Sequence, residues 1–327
     1  MPWLVLSWLV TAGGFFIAAA MNLYYPQKKS IFLIHYTVVG QKLDMNDAYR
    51  RVLYAIAALY TIVFLVALVF KSQRRKFISR APFRFVAGLA LGAWDIMGTK
   101  LQILPQPFFP GPAKVVESFL MDGAYILQNT LYSLRLFSVG FLLGVLFGVG
   151  TGIIIGWFPK IYYWVYPVLK LTGVIPAVAW MPFALTLFAG SPFSAAAFLI
   201  VICAWFPVAF LTAQGITSTP RLHFEAARTL GAKTPYLVFH VAIPHALPQI
   251  FTGISTANAY AFTTLVMSEM MGQPGGLGYY INQSKVWSSY YKVFAAIVVM
   301  ALLFSAIMQL IGAIQKRALR WQRGILK

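Results

Sequence analysis

The segment of residues 220–248 holds three of the four histidines of the chain and one of its seven acidic residues. Imidazole and carboxylate groups are the side chains that most often bind metal ions or transfer protons. His240 and His245 are five residues apart, which is not the i, i+4 spacing that puts two ligands on one helix face. Glu225 is the acidic residue near them, and the others are scattered along the chain: Asp44, Asp47, Asp95, Glu117, Asp122 and Glu269. The spacing therefore predicts neither a metal site nor a catalytic pair of acids.

The composition indicates a membrane protein. Hydrophobic residues make up 60% of the chain and charged residues 10%, whereas an average soluble domain is about 25% charged. Lys and Arg outnumber Asp and Glu by 26 to 7, an excess that is typical of cytoplasmic loops in membrane proteins. The basic residues form no separate domain with interleaved aromatic residues, which disfavours nucleic-acid binding. Cys203 is the single cysteine, so neither an internal disulfide nor a cysteine-based metal site is expected.

Eight apolar runs are long enough to cross a membrane, which takes roughly 20 residues. They are 3–22, 52–70, 84–104, 128–157, 161–189, 193–216, 249–271 and 293–315. The fifth run contains Pro167, Pro176 and Pro182 and is predicted to be kinked or broken, because proline removes a backbone donor. Broken backbone at membrane depth needs protein or a water-filled path around it. Pro176 and Pro182 are therefore candidates for the substrate path, as is Glu269. The alternatives are a bent structural helix and a structural carboxylate, either buried or at a helix end.

The basic residues predict which side of the membrane each loop occupies. Loop 71–84 and the tail after residue 315 are rich in Lys and Arg and are expected to be cytoplasmic. Six runs lie between them, and this even number agrees with both segments being on the same side. Counting runs in the same way places segment 217–248 and both termini in the cytoplasm. Loop 23–51 is expected to be external although it carries basic residues, namely Lys28, Lys29, Lys42, Arg50 and Arg51. The N-terminal run has no basic flank, which favours a spanning helix over a cleaved signal peptide.

Two further patterns lie within the runs. Glycines recur every four residues at Gly140, Gly144, Gly148, Gly152 and Gly156. They predict a helix face on which another backbone packs closely, with a pore-lining role as the alternative. Asp95 and Lys170 lie inside apolar runs, where a charged side chain usually faces protein or water. Arg135 lies nearer the end of a run, from which its side chain can reach the membrane surface.

Segment 217–248 is expected to form two short helices. Thr219 and Pro220 are predicted to begin the first helix and Gly231 to end it. Thr234 and Pro235 repeat the starting signal. Two later prolines, Pro244 and Pro248, are predicted to stop the second helix.

A short helix between two spans suits docking into a groove of a partner protein. Ala226 and Ala227 are small enough to enter such a groove, and Glu225 supplies one charge for it. The alternative is a structured loop that only caps the bundle.

The same residues resemble a known motif. Glu225-Ala226-Ala227, then Gly231, then Val241-x-Ile243-Pro244 are similar to the pattern E-A-A-x-x-x-G, nine residues, I-x-L-P of ABC importer membrane subunits, with conservative changes at two positions. The resemblance runs from about residue 84 to 327 and is greatest to the nitrate, sulfonate and taurine permeases. Segments similar to theirs are LPQPFFPGPAKV (104–115), NTLYSLRLFSVGFLLGVLFGVGTGIIIG, LPQIFTG, SEMMG (268–272) and GGLGYYI (275–281).

The resemblance implies an all-α polytopic membrane protein with the type I ABC importer fold. Residues 81–327 are then a six-span permease domain, and residues 1–80 are a two-span extension that ends in a basic cytoplasmic linker. Glu225, Ala226, Ala227 and Gly231 would belong to the coupling helix, which sits in a cleft of the ATPase subunit. Where the family often has Arg-Pro before Ile175-Pro176, this chain has Gly173-Val174, which leaves the substrate open.

The function implied by the resemblance is import of a small solute, with an organic or inorganic anion such as nitrate, a sulfonate or taurine favoured. The chain contains no P-loop of the form G-x-x-x-x-G-K-[ST], so ATP and Mg²⁺ would be bound by a separate ATPase. No cofactor is expected on this chain. The expected partners are two ATPase copies, a second copy of this chain, an extracytoplasmic binding protein and the lipid of a prokaryotic inner membrane. An ion-gradient-driven transporter and a membrane-embedded enzyme are the alternatives.

Overall fold

The computed structural model describes residues 2–27, 36–38 and 41–321. Lys28 and Lys29 of the predicted external loop, and Arg323 and Lys327 of the predicted cytoplasmic tail, lie outside the described residues. A small antiparallel hairpin pairs β1 (Tyr36–Val38) with β2 (Gln41–Leu43), with Tyr36 opposite Leu43. The other regular elements of the described residues are helices. The helices are α1 (Pro2–Tyr24), α2 (Met45–Val69), α3 (Lys71–Ser79), α4 (Ala81–Asp95), α5 (Pro112–Met121), α6 (Gly123–Trp157), α7 (Pro159–Val174), α8 (Met181–Leu187), α9 (Pro192–Thr217), α10 (Arg221–Thr229), α11 (Thr234–Tyr236), α12 (Ile243–Met270), α13 (Leu277–Val286) and α14 (Tyr290–Ala318).

Six of the described helices are long and apolar enough to cross a membrane, and a bent pair raises the number to seven. The six are Pro2–Tyr24, Met45–Val69, Gly123–Trp157, Pro192–Thr217, Thr234–Met270 and Tyr290–Ala318, and the bent pair is Pro159–Val174 with Ala177–Leu187. Run 84–104, the eighth expected span, falls on α4 and a π turn at Ile96–Lys100. Helix α4 has 15 residues, and the run carries Arg84, Asp95 and Lys100. It is not one of the helices long and apolar enough to cross a membrane, so the eighth span is not confirmed.

The chain divides into two compact units. The first comprises residues 1–124 and 284–295, and the second comprises residues 125–283 and 296–327. The predicted domain boundary at residue 80 lies inside the first unit and stays a prediction.

Within the first unit, α1 and α4 pack at van der Waals distance. A Cβ atom on Gly88 would lie 2.6 Å from the backbone carbon of Gly14. About two turns further along α4, Asp95 is fully buried, and its carboxylate accepts a 2.7 Å hydrogen bond from the side-chain amide of Asn22. Asn22 comes from α1, so a residue of the N-terminal extension satisfies a buried charge of α4.

The second unit is built on a glycine seam between α6 and α9. A Cβ atom on any of the five regularly spaced glycines would lie 2.5–2.8 Å from a Cβ atom of α9. The pairs are Gly140 with Ile200, Gly144 with Ala204, Gly148 with Val208, Gly152 with Thr212 and Gly156 with Ile216. The predicted close packing on this glycine face is confirmed.

The order of the seam pairs fixes the direction of the helices. Residue numbers rise together along α6 and α9, so the two helices are parallel. The chain must therefore travel back along the bundle between Trp157 and Pro192. That connection is the bent pair, which makes it a broken span and not a re-entrant loop.

Helix α12 runs antiparallel to α9. A Cβ atom on Gly215 would meet Ala246, and one on Gly253 would meet Val208. The start of α12 therefore lies at the end of the unit where α6 and α9 finish. Helix α10 lies at the same end, since Phe224 packs against Trp157 with ring centroids 5.6 Å apart.

Segment 217–248 differs from its prediction in two ways. Pro220, not Thr219, is the residue that precedes α10, and the buried Thr219 hydroxyl makes no hydrogen bond to the described residues. Pro244 and Pro248 do not stop a helix, because α11, a π turn at Leu237–Ala242 and α12 form one continuous span. A π turn before Pro244 shifts the backbone bonding by one residue, and packing on α9 supports the helix around Pro248.

Candidate functional site

The broken span is the least regular part of the second unit. Helix α7 ends at Val174, Ile175 and Pro176 are extended, and a 3₁₀ turn at Ala177–Trp180 leads into α8. The axes on the two sides of the break differ by 104°. Proline lacks the N–H group that would continue the helix, and it disfavours the α conformation of the residue before it. The predicted break is confirmed and occurs at Pro176, whereas Pro167 lies inside α7.

A cavity of about 440 Å³ lies at this break. Pro176 lines it, but Pro182 and Glu269 do not. A side chain at position 173 would strike the Phe206 ring, since a Cβ atom there would lie 2.5 Å from it. Gly173, at which the chain departs from the family pattern, therefore leaves the space that the Phe206 ring occupies. The lining residues are Thr172, Gly173, Val174, Ile175, Pro176, Ala177, Val178, Ile202, Cys203, Phe206, Tyr260, Thr263, Thr264 and Met267. We call it the upper cavity.

A second cavity of about 370 Å³ lies between α7 and α9 toward α10. Its polar lining groups come from Tyr162, Tyr166, Gln214 and Thr217. The other lining residues are Ile155, Gly156, Pro159, Phe210 and Ala213. We call it the lower cavity.

Glu269 is buried at the end of α12 and lines neither cavity. Its Oε2 atom accepts a 2.8 Å hydrogen bond from the backbone N–H of Gly278. Two side chains of α6 accept hydrogen bonds from the neighbouring backbone N–H groups. Asn129 accepts from Gly276 at 2.9 Å, and Ser133 accepts from Leu277 at 2.8 Å. The first N–H groups of a helix have no partner within the helix, and these three acceptors supply it for α13. This geometry gives Glu269 a structural role, and its assignment to the substrate path stays a prediction.

The sequence did not single out Asn129 and Ser133. They are ordinary polar residues in a long helix, and their partners are more than 140 positions away. The one local signal is the sequence GGLG at 275–278. Gly276 has φ = +110°, and a Cβ atom on it would lie 2.3 Å from the Glu269 carboxyl carbon. A glycine is therefore needed there both for the turn and for the close approach of the carboxylate.

Helix α10 and the turn after it carry the four residues predicted to couple the chain to an ATPase. Glu225 and Ala226 are exposed, whereas Phe224 and Ala227 face inward and are half-buried. Gly231 follows the helix with φ = +84°, and its N–H donates to the Arg228 carbonyl at 2.9 Å. A Cβ atom on Gly231 would meet nothing within 4 Å. The conformation of the turn, not lack of space, therefore favours glycine here.

The histidines near α10 do not form a larger cluster. The rings of His223 and His245 lie 6.0 Å apart. Among the described residues, no group of three or more His, Cys, Asp or Glu side chains could hold a metal ion.

Comparison with known proteins shows similarity over most of the chain. The family pattern of "Binding-protein-dependent transport system inner membrane component" matches residues 144–321. The putative aliphatic sulfonates transport permease protein SsuC of Bacillus subtilis is 30% identical over 258 residues, which are 76% of this chain and 92% of the relative. The taurine transport system permease protein TauC of Escherichia coli is 28% identical, over 71% of this chain and 86% of the relative. The nitrate import permease protein NrtB of Synechococcus elongatus is 28% identical, over 64% and 76%.

A solved structure supports the fold. The MetNI methionine ABC transporter in an inward-facing conformation superimposes with a TM-score of 0.52 and 21% identity, over 59% of this chain and 96% of that chain. The sequence similarity, the glycine seam and the broken span together lead to one assignment. The chain belongs to the family of binding-protein-dependent transport system inner membrane components and is a permease subunit of an ABC importer.

Proposed function

We propose that two copies of this chain form the membrane pathway of an importer that two copies of a separate ATPase drive. An extracytoplasmic binding protein delivers a small anion, in the class of sulfonates, taurine and nitrate. The names of three relatives support this substrate class, since they are described as permeases for aliphatic sulfonates, taurine and nitrate. ATP and Mg²⁺ are bound by the ATPase, and the chain itself needs no cofactor.

The observation that carries the proposal is the surface of α10. The helix lies at one end of a bundle of spans, and its Glu225 and Ala226 side chains are exposed while Phe224 anchors it on Trp157. A nine-residue helix is too short to be stable alone in water. Anchoring by one face therefore leaves the other face free to enter a cleft in the ATPase. Movement of the ATPase would then reach α6 through the Phe224–Trp157 contact.

We propose that the chain lies in a prokaryotic inner membrane with both termini in the cytoplasm, which requires α4 and the π turn that follows it to cross the membrane as an eighth span. The antiparallel course of α9 and α12 puts the connection 218–242 at one end of the bundle, where α6 also finishes. This end is assigned to the cytoplasm because the basic residues around Arg221, Arg228 and Lys233 lie there.

The test is purification of the complex from a host that expresses the chain with its ATPase. We expect an ATPase to co-purify in a one-to-one ratio with the chain, and no second type of permease. Proteoliposomes that contain the complex and the binding protein should accumulate radiolabelled taurine, an alkanesulfonate or nitrate only when ATP is present on the α10 side. Uptake that persists without ATP and follows an ion gradient would contradict the importer and favour a secondary transporter.

A further inference from the structure

Lys170 is a charged side chain inside the broken span, and it is exposed. The charged groups of two other spans are accounted for within the second unit. Arg135 stacks over the Phe193 ring at 5.4 Å, and Glu269 accepts the Gly278 amide. Among the described residues, no hydrogen bond, ion pair or ring contact reaches Lys170. An ammonium group at membrane depth normally faces water or a partner of opposite charge.

The position of Lys170 on α7 relates it to both cavities. Tyr162 and Tyr166 line the lower cavity and Val174 lines the upper one. Lys170 follows Tyr166 by four residues and precedes Val174 by four. Residues four apart lie on the same face of a helix, so Lys170 lies between the two cavities on the face that lines both.

Helix α9 joins the two cavities in the same way. Phe206 lines the upper cavity, Phe210 lines the lower one, and their rings stack with centroids 6.1 Å apart. The facing surfaces of α7 and α9 therefore carry a line of two cavities from the end near α10 to the break, and Lys170 lies between the two, next to the buried Leu169 that packs against α9. We call this line of cavities the α7–α9 groove.

The lining of the groove leaves Lys170 as its source of charge. No residue that lines either cavity carries a charged side chain. The hydroxyl groups of Thr172, Thr263 and Thr264 already donate to backbone carbonyls of their own helices. They offer acceptors to a solute and little donor capacity. Of the two lysines on α7, Lys170 is the one that lies between the cavities, and its ammonium group makes the electrostatic potential there more positive.

We propose that the α7–α9 groove is part of the translocation path and that Lys170 makes it selective for small anions. The inference rests on the proposed function and assigns the selecting charge to one residue. An anion that leaves the upper cavity passes the ammonium group before it reaches the lower cavity. A single exposed charge attracts the solute without holding it tightly, which a conducting path requires.

Cys203 provides a test that needs no knowledge of the substrate. It is the single cysteine of the chain and lines the upper cavity. In the full chain with its ATPase, reaction rates are measured by mass spectrometry for two thiol reagents of similar size, the anionic sulfonatoethyl and the cationic trimethylammonioethyl methanethiosulfonate. After correction for their rates with a free thiol, we expect Cys203 to prefer the anionic reagent. Lys170→Gln should lower the anionic-to-cationic ratio several-fold, since loss of one positive charge lowers the local concentration of the anionic reagent and raises that of the cationic reagent. Lys170→Arg should keep the ratio.

The matched control is Lys160→Gln, an exposed lysine at the start of the same helix. It should leave the ratio unchanged. The measurement is repeated at Val174→Cys in a Cys203→Ser chain, because Val174 is 74% exposed and lines the same cavity. A ratio that Lys170→Gln does not change, or a lack of reaction at both positions, would overturn the proposal. Labelling of the cysteine does not depend on transport. If the chain bound no ATPase, the proposed function would be refuted, but the labelling ratios would still test the groove.

Discussion

The carboxylate of Glu269 and the backbone N–H of Gly278 form a 2.8 Å hydrogen bond that joins the end of α12 to the first turn of α13. Glu269 is 1% exposed. A buried donor that loses its acceptor destabilises a folded protein by about 1–3 kcal/mol. This pair therefore holds the turn between two helices in place and gives an acidic residue a structural role in an otherwise apolar span.

Replacement of Glu269 tests this role. Glu269→Ala should lower the midpoint of thermal unfolding of the purified complex, because the Gly278 amide is left without an acceptor. Glu269→Gln keeps an acceptor of the same shape and should be closer to the wild type. Uptake per folded complex should be unchanged in Glu269→Gln. A stable Glu269→Ala complex with altered substrate preference would instead assign the residue to the substrate path.

Because of the glycine seam, an added side chain on α6 should destabilise the protein only at positions that face α9. Gly152→Val would push side-chain atoms into Thr212, whose Cβ atom would lie 2.5 Å from the new Cβ atom. Overpacking of this kind typically destabilises by about 1–3 kcal/mol. Gly150→Val is the matched control, because Gly150 lies on the same helix with nothing within 4 Å of its Cβ position. Detergent-solubilised Gly152→Val should unfold at lower temperature than Gly150→Val, and equal midpoints would contradict the seam.

Much of the structure of the second unit can be predicted from the spacing of residues along the chain. The four-residue recurrence of glycine predicts the α6 seam because a face without side chains has few uses other than close packing. The break at Pro176 is predictable because proline acts on the residues beside it. The continuity of the helix through Pro244 and Pro248 is not predictable in this way, since it depends on a π turn and on packing against α9.

The site is less predictable than the fold. The cavities join residues of α7 and α9 that lie far apart in the chain, such as Val174 with Ile202 and Pro159 with Thr217, and nothing in either helix alone indicates a cavity. The partners of α13 come from α6, more than 140 positions earlier. The role of the α10 residues can be predicted from the sequence, because the motif that indicates it lies within one segment.

The N-terminal extension is expected to stabilise the first unit through Asn22. Asn22→Leu removes the donor to the buried Asp95 carboxylate, which leaves a charge without its partner and should lower the unfolding midpoint. Adding Asp95→Asn removes that charge and should restore part of the loss. Deletion of residues 1–70 should likewise reduce the yield of complex more than the turnover of the complex that assembles. A double variant no more stable than Asn22→Leu alone would contradict this explanation.

Cysteine labelling can test the orientation of the second unit. Leu230→Cys and Met271→Cys are each made in a Cys203→Ser chain, and both positions are exposed, at 89% and 52%. They lie at opposite ends of the span Thr234–Met270. In intact cells, a membrane-impermeant maleimide should label Met271→Cys but not Leu230→Cys. The reverse pattern would place α10 outside the cell and exclude contact with an ATPase.

The last prediction concerns transmission of ATPase movement through α10. Gly231 adopts φ = +84° in open space, so a β-branched residue there strains the turn, whereas asparagine tolerates the left-handed conformation. Gly231→Val should misorient α10, weaken ATPase binding and abolish the stimulation of ATP hydrolysis by loaded binding protein. Gly231→Asn, the matched control, should retain most of both the ATPase binding and the stimulation.

Glu225→Ala should act in the same direction as Gly231→Val but more mildly, since it removes one charge from the proposed docking surface. The measurement is stimulated ATPase activity and uptake in proteoliposomes, with substrate preference as a second readout that should not change. Full stimulation and uptake in both Gly231→Val and Glu225→Ala would mean that residues 220–231 only cap the bundle.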